Sequence, residues 1–501
     1  MAGLPTYATY FGRDMLMTAL MMKPVWRDEM SEFVIASALR KLSPTGQVSH
    51  EEAMGGQAVR EAASEYTSMV LTGYEMAQTV EEASGLATVE RMAGRAGKIL
   101  EHLRRTRENY HMIDAEFQFP IVAARWLADP KVSADRKRAF LLDSTDNGEP
   151  RVRRLVRELA LVARVTAPYA ATPTAANLIS FAPRDSGKWS SQSWRDSNVG
   201  YAGGRYAMDV NAIWAPHALE SVGRILDALR TLNIAPSSAR ELAADTPLGR
   251  YSRDPQLLRK AVDRWNGAAR HFVVTLAPSG VRTRTSARLA AMTPDERRHW
   301  TDVLARTHAD ADSLTFLALS LDGAGNAIPI ANSDVATRLF LGDNELVRTS
   351  SDAEARAHVL RDVRLFARAY PVGLLVDSVG PVVANDAYAS TSVWRDFERD
   401  RYHGPRVVWG RENNLFLIGA MGRIADARAA HDPSSVAYVR ELRAAIDKVS
   451  AAVEASGFHS ELWSYDLQSG RVVPIRYGSG SDVQLWSTTD LVVQYGRWQL
   501  R

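Results

Sequence analysis

Two carboxylates stand in aromatic surroundings that suit acid–base chemistry on a sugar. The stretch Lys188-Trp-Ser-Ser-Gln-Ser-Trp-Arg-Asp-Ser-Asn198 sets Trp189 and Trp194 ahead of Asp196, in a loop that continues through Gly200, Gly203, Gly204 and Arg205. Indole faces cover the apolar C–H face of a pyranose, while Asp and Arg bond its hydroxyls. An aspartate held against indole loses solvation of its charged form, which keeps a proton available for donation. The late stretch Gly457-Phe-His-Ser-Glu-Leu-Trp-Ser-Tyr-Asp-Leu-Gln-Ser-Gly470 puts Glu461 beside Trp463, Tyr465 and Asp466, where a glutamate can serve as general base on water. The plain alternatives are a helix N-cap for Asp196 or Asp209 and a solvated loop carboxylate for Glu461.

Further polar–aromatic clusters recur between helices. Tyr7-Ala-Thr-Tyr-Phe-Gly-Arg-Asp14 brings Arg13 and Asp14 to the start of a helix, as ligands for sugar hydroxyls or as an ion pair fixing the helix start. Ser49-His50-Glu51-Glu52, Ala384-Asn-Asp-Ala-Tyr388, Tyr402-His403-Gly404 with Val408-Trp409, and Ser481-Asp482 with Trp486 complete the set. Each alone reads as an ordinary cap or turn. Their recurrence at helix–helix junctions is the stronger signal, because alternate junctions of a helical toroid open onto the same end.

The elements that position these groups are mostly helical. Ile213, Leu219, Val222, Ile225, Leu226 and Leu229 recur mostly at three and four, and so do Leu415, Ile418, Met421 and Ile424, and Val439, Leu442, Ile446, Val449 and Val453. Further helices are expected near 12–23, 27–42, 84–106, 117–128, 150–166, 254–270, 292–306, 331–341, 353–369 and 388–400, with strands at 272–276, 314–321 and 407–409. The segments 180–206, 371–390, 401–414 and 457–487 read as long loops. An all-α fold with short β insertions follows, rather than a parallel α/β sheet.

Composition removes other classes. The 501 residues carry 61 Lys+Arg against 58 Asp+Glu, a net +3 that leaves no footprint for nucleic acid or an anionic membrane. With no cysteine there is no disulfide, thiolate zinc site, iron–sulfur cluster or Cys nucleophile. No apolar run approaches the ~18 residues of a membrane span and no secretory signal is visible, so a cytoplasmic location is the default expectation. GxGxxG after a strand, a Walker loop, HExxH, GxSxG and DDxxD are missing, the 11 histidines show no metal-ligand spacing, and no cofactor or metal is called for.

LPTYATYFGRDMLMTALMM resembles the entry motif of the amylo-α-1,6-glucosidase (glycogen-debranching) group of six-hairpin glycosidases, and SWRDSN followed by GGRYAMDVNAIW resembles that group's Trp-x-Asp-Ser element and the helix behind it. The second element is also similar to the Trp-Asp loop of the trehalases. GQVSHEE, YHMIDAEFQFPIVAARWL, NDAYASTSVWRDFERDRYHGPRVVWG and SDVQLWSTTDLV resemble further elements of the group, so the likeness runs from about residue 4 to 493. It implies one (α/α)6 toroid over 1–501; the sequence departs from the group's pattern in 60–108, which reads as a helical insertion, and in starting the Gly-Arg-Asp motif without the N-terminal β-sandwich usual in relatives. It also implies an inverting glycoside hydrolase that releases a sugar, expected to be glucose, from the non-reducing end of an α-glucoside or oligosaccharide. Asp196 matches the general acid, and Glu461 matches the base of trehalase- and mannosyl-oligosaccharide-glucosidase-like relatives, with Glu412 and Glu51 in reserve. Arg13, Asp14, Trp194, Arg195, Arg205, His403, Trp463 and Asp482 are expected to grip the sugar. A phosphorylase on the same fold and a catalytically silent carbohydrate-binding or scaffold domain are the rival readings.

Overall fold

A computed structural model describes residues 3–4, 9–79, 83–103, 106–146, 148–184, 187–235, 240–342, 352–477 and 483–500. Among them are eighteen α-helices, with strands of only two to seven residues, which makes the chain all-α with small sheets. In order the helices are α1 (Gly12–Met22), α2 (Asp28–Arg40), α3 (Gly55–Thr79), α4 (Ala83–Glu101), α5 (Asp114–Leu127) and α6 (Ala134–Leu142). Next come α7 (Arg151–Ala171), α8 (Ala215–Thr231), α9 (Pro247–Arg253), α10 (Pro255–Asn266), α11 (Pro278–Ala290) and α12 (Pro294–Thr307). The last six are α13 (Val335–Leu341), α14 (Asp352–Ala367), α15 (Thr391–Phe397), α16 (Gly410–Ala429), α17 (Val436–Ser456) and α18 (Asp490–Leu500).

Sequence pattern decides which helices go inside. α1 is apolar nearly all round and buries ten of its eleven residues, and α5 buries thirteen of fourteen. α10 instead buries one stripe, Leu258, Ala261, Val262 and Trp265, and turns its charges to solvent. α1 packs on α5, α5 on α8, α13 on α16, and α16 on α18. A π-helical stretch, Asp209–Trp214, leads into α8 and touches α13. Pro216 has no N–H to give residue 212, and the wider turn before it accommodates that loss. α18 and the 3-10 turn before it return to α1. α2, α7, α10, α14 and α17 pack against these helices and carry the striped pattern.

Two small sheets matter for the site. Glu51–Ala53 pairs antiparallel with Arg107–Asn109, and α3 and α4 rise between those strands, packed chiefly on each other. Val407–Trp409 pairs with Leu462–Gln468, which forms a hairpin with Arg471–Arg476. That hairpin lies where a long loop was expected. α6, α9 and α11 were also not anticipated. In α11 the buried positions are Val281, Thr285, Arg288 and Leu289, so half of the inward stripe is polar and an apolar count misses it. Among the described residues no helix is long and apolar enough to cross a membrane.

Candidate active site

The first turn of α1 sets the site. A Cβ on Gly12 would stand 2.1 Å from the Ser49 carbonyl oxygen, so only glycine lets the helix start against the 49–50 backbone, where the Gly12 N–H bonds the His50 carbonyl. The next two residues, Arg13 and Asp14, are buried. Arg13 Nη2 donates to Asp196 Oδ2 at 2.8 Å, and Arg13 Nε lies 3.8 Å from both Asp14 Oδ1 and Asp114 Oδ2. One guanidinium thus gathers carboxylates from α1, α5 and the tryptophan loop.

That loop is pinned on both sides of Asp196. Ser193 Oγ and Tyr201 OH donate to Asp209 Oδ2 at 2.6 and 3.0 Å, so Asp209 ties the loop to the π turn rather than capping a helix. A Cβ on Gly200 would come within 2.1 Å of the Arg195 carbonyl, so the loop closes on itself only with glycine there. Trp194 Nε1 donates to Asp334 Oδ1, and Arg195 donates to Asp334, Ser333 and the Val383 carbonyl. Ser333 Oγ in turn donates to Glu412, which also holds Arg411 at 2.6 Å. The guanidinium groups of Arg195 and Arg411 lie 4.2 and 4.3 Å from the Trp194 ring. The indole expected to cover a sugar is therefore itself engaged by two cations.

Glu461 arrives from the opposite part of the chain. The pairing of Trp409 with Leu462, and the Gly410 N–H bond to the Glu461 carbonyl, bring it beside the start of α16. His403 completes this side: its Nδ1 lies 2.9 Å from Ser197 Oγ, and Ser197 Oγ also donates to Asp400. The serine has one proton and the carboxylate accepts it, so His403 Nδ1 is the N–H donor and Nε2 is left with its lone pair. Nε2 is buried with no hydrogen-bond partner. Burial, then the charges of Arg195, Arg13 and Arg411, hold the ring neutral, well below the usual histidine range.

These groups line one cavity of about 470 Å³. Of the residues singled out in the sequence, Arg13, Asp14, Trp194, Asp196, His403 and Glu461 are in its wall, joined by Phe11, Tyr402, Trp409, Arg411 and Trp486. Arg195 is fully buried behind the wall. Arg205 lies outside it, donating to Ser180 Oγ at 3.0 Å with its guanidinium over Tyr206. Trp463 is buried, gives its indole N–H to the Val379 carbonyl, and borders a separate small cavity. Asp482 falls outside the described residues. Of the two reserve glutamates, Glu412 is locked between Arg411 and Ser333, and Glu51 sits in its strand bonded by Asn109.

Burial pushes Asp14 up to about 7; the charges of Glu461 and Asp196 add to this, and Arg13 and Arg411 oppose it. Asp114 is raised by burial as well. The cavity thus combines a carboxyl that titrates near neutrality, a more exposed Asp196, a buried Glu461 and a neutral imidazole. Such a set can give a proton, take one and bond hydroxyls. Among the described residues no cluster of three or more His, Asp or Glu side chains is placed to hold a metal ion. Sequence reasoning missed Asp114 and Asp334, whose partners are met only through the fold, and Arg411, whose pairing with the neighbouring Glu412 gives no hint of its place over the Trp194 ring. Compared with known proteins, the chain matches no family model, no curated protein and no solved structure.

Proposed function

We propose that this chain is an inverting glycoside hydrolase built on an (α/α)6 toroid, removing a terminal sugar from an α-glucoside or oligosaccharide. The observation that carries the reading is the meeting of Asp196 and Glu461, from two distant loops, in one cavity rimmed by Phe11, Tyr402, Trp409 and Trp486. Its volume lies within the ~300–1,000 Å³ usual for small-molecule sites. The toroid is supported by the order of packing, in which α1, α5, α8 with its π turn, α13, α16 and α18 each touch the next and the last returns to α1.

In this reading Asp196 protonates the glycosidic oxygen and Glu461 activates water on the other face of the sugar. Inversion calls for ~6.5–9.5 Å between the two carboxyl groups, to leave room for that water. A carboxylate paired with arginine holds no proton to give, so for Asp196 to carry the proton it donates, Arg13 turns from it toward Asp14 or Asp114, both already 3.8 Å from Arg13 Nε. Arg411 and Asp14 bond sugar hydroxyls.

The test is proton NMR with maltose, isomaltose, trehalose, nigerose, kojibiose and maltohexaose, beside D196N and E461Q proteins. Early β-glucose from one substrate, lost in both variants, is the expected result. Early α-glucose would refute inversion. Glucose phosphate formed only with phosphate present would replace hydrolysis by phosphorolysis. No product from any substrate would refute the α-glucosidase reading.

A further inference from the structure

α3 and α4 form an antiparallel hairpin packed chiefly on itself. Buried and half-buried positions mark its inner seam, which repeats heptad by heptad through Ala62, Met69 and Met76 in α3 and through Gly85, Met92 and Ile99 in α4. At about 3.6 residues per turn, the residue before a seam position and the residue after it fall on opposite flanks. Before the seam stand Glu61, Ser68, Glu75, Arg91 and Lys98. After it stand Ala63, Val70, Ala77, Leu86, Ala93 and Leu100, all apolar. In antiparallel helices the same step leads to the same side of both, so the hairpin has one polar flank and one apolar flank.

The apolar flank is open. Val70, Tyr74, Leu86 and Leu100 on it are 45%, 64%, 53% and 47% exposed. The ordinary fate of such a stripe is burial against the rest of its own chain, and among the described residues that does not happen here.

We propose that this flank pairs with the same flank of a second copy of the chain, making a four-helix bundle about a two-fold axis that runs along the hairpins. Two observations select a second copy. The first is area. The 19 residues of α4 span ~28 Å and two helices abreast ~20 Å, about 600 Å² a side and about 1,200 Å² in all, which reaches the size of stable interfaces.

The second is charge. Ala53 stands opposite Arg107 at the base, and α3 ends at Thr79 where α4 begins at Ala83, so Glu101 lies level with Arg60. Both are exposed, on opposite outer edges of the hairpin, and neither makes an ion pair among the described residues. The two-fold rotation sets α3 over α4 of the second copy and brings each Arg60 to the Glu101 of the other chain.

The test is sedimentation equilibrium of the full chain across a concentration series, beside V70E, L86E, R60E, E101R and the double variant R60E/E101R. The parent should be a dimer. V70E and L86E should weaken it at least a hundredfold, because each buries a charge in the paired flanks. R60E and E101R should each weaken it about threefold to tenfold, and the double variant should restore the parent's affinity, since it rebuilds the pair with its signs exchanged. All five positions but Glu101 and Arg60 are apolar and all are exposed, so circular dichroism should stay that of the parent. A parent that is monomeric at its highest soluble concentration overturns the proposal, and so does a dimer indifferent to V70E and L86E. A dimer broken by those two but indifferent to R60E and E101R overturns the placing of α3 over α4.

Discussion

Arginines gather around both ends of α5 and α16, and the two ends answer them to different degrees. At the cavity end every guanidinium is answered: Arg13 by Asp196, Asp14 and Asp114, Arg195 by Asp334, and Arg411 by Glu412. At the far end Arg224 is paired with Glu220 and Arg423 with Asp426, and Arg125 makes no ion pair among the described residues. Burial makes compensation obligatory at the first end, because an unpaired charge there would be prohibitively costly. Partial exposure relaxes that requirement at the second. Pairs buried at the cavity end are little screened by salt, while those at the partly exposed far end are screened more.

The largest effect should come from the cavity. D196N should lower hydrolysis by about 10²–10⁴-fold with an unchanged circular dichroism spectrum, as removal of a general acid does. A fully active D196N protein would remove Asp196 from the mechanism.

Next comes the pairing that holds the loop. Arg195→Met leaves the buried Asp334 without a cation, with the Trp194 indole N–H as its remaining side-chain donor, and should cost about 3–5 kcal/mol in urea unfolding. A loss under about 1 kcal/mol would mean that the Trp194 indole suffices to hold Asp334.

Asp14 distinguishes the ends by pH. Its folded value of about 7 lies above the ordinary 3.8, so the folded chain holds this proton more tightly than the unfolded chain. Its contribution is fully favourable below pH 3.8, falls as pH rises, and levels off above 7. The difference is worth on the order of 4 kcal/mol. D14N should therefore gain stability relative to the parent between pH 4 and 7, read from urea midpoints at each pH. A flat difference would place the titration elsewhere.

The smallest effect belongs to the far end. In chloride buffer R125Q should change stability by less than about 1 kcal/mol, with either no change or a small gain, because it relieves repulsion rather than breaking a pair. A loss above 2 kcal/mol would reveal a compensating partner and erase the contrast between the ends.

The chemistry was legible where aromatic residues flag a junction between helices. Asp196 after Trp194, Glu461 before Trp463, His403 after Tyr402, and Arg13 with Asp14 after Phe11 all reach the cavity wall. Arg195 and Trp463 carry the same flags and point into the protein, because Asp334 and the Val379 carbonyl claim them. Such claims span 139 and 84 residues of chain, a range over which local pattern is silent. Helices with apolar stripes were equally legible. α11 was not, since its inward Arg288 is neutralised by Asp386, nearly a hundred residues away. The hairpin after Glu461 was hidden by Ser, Asp and Gly, although its first strand, LWSYDLQ, has the pairing register of a regular ladder.

The two-stranded ladder beneath α3 and α4 has a consequence for how the chain can be edited. Ala53 stands directly opposite Arg107, so the ends of the excursion between them are already at the spacing that a tight turn bridges. The excursion's helices pack chiefly on one another, and their Val70, Leu71, Tyr74 and Leu86 are exposed. Replacing 54–106 by a short turn is therefore expected to keep the strand register of Glu51–Ala53 with Arg107–Asn109, at the loss of the Arg107–Glu65 pair.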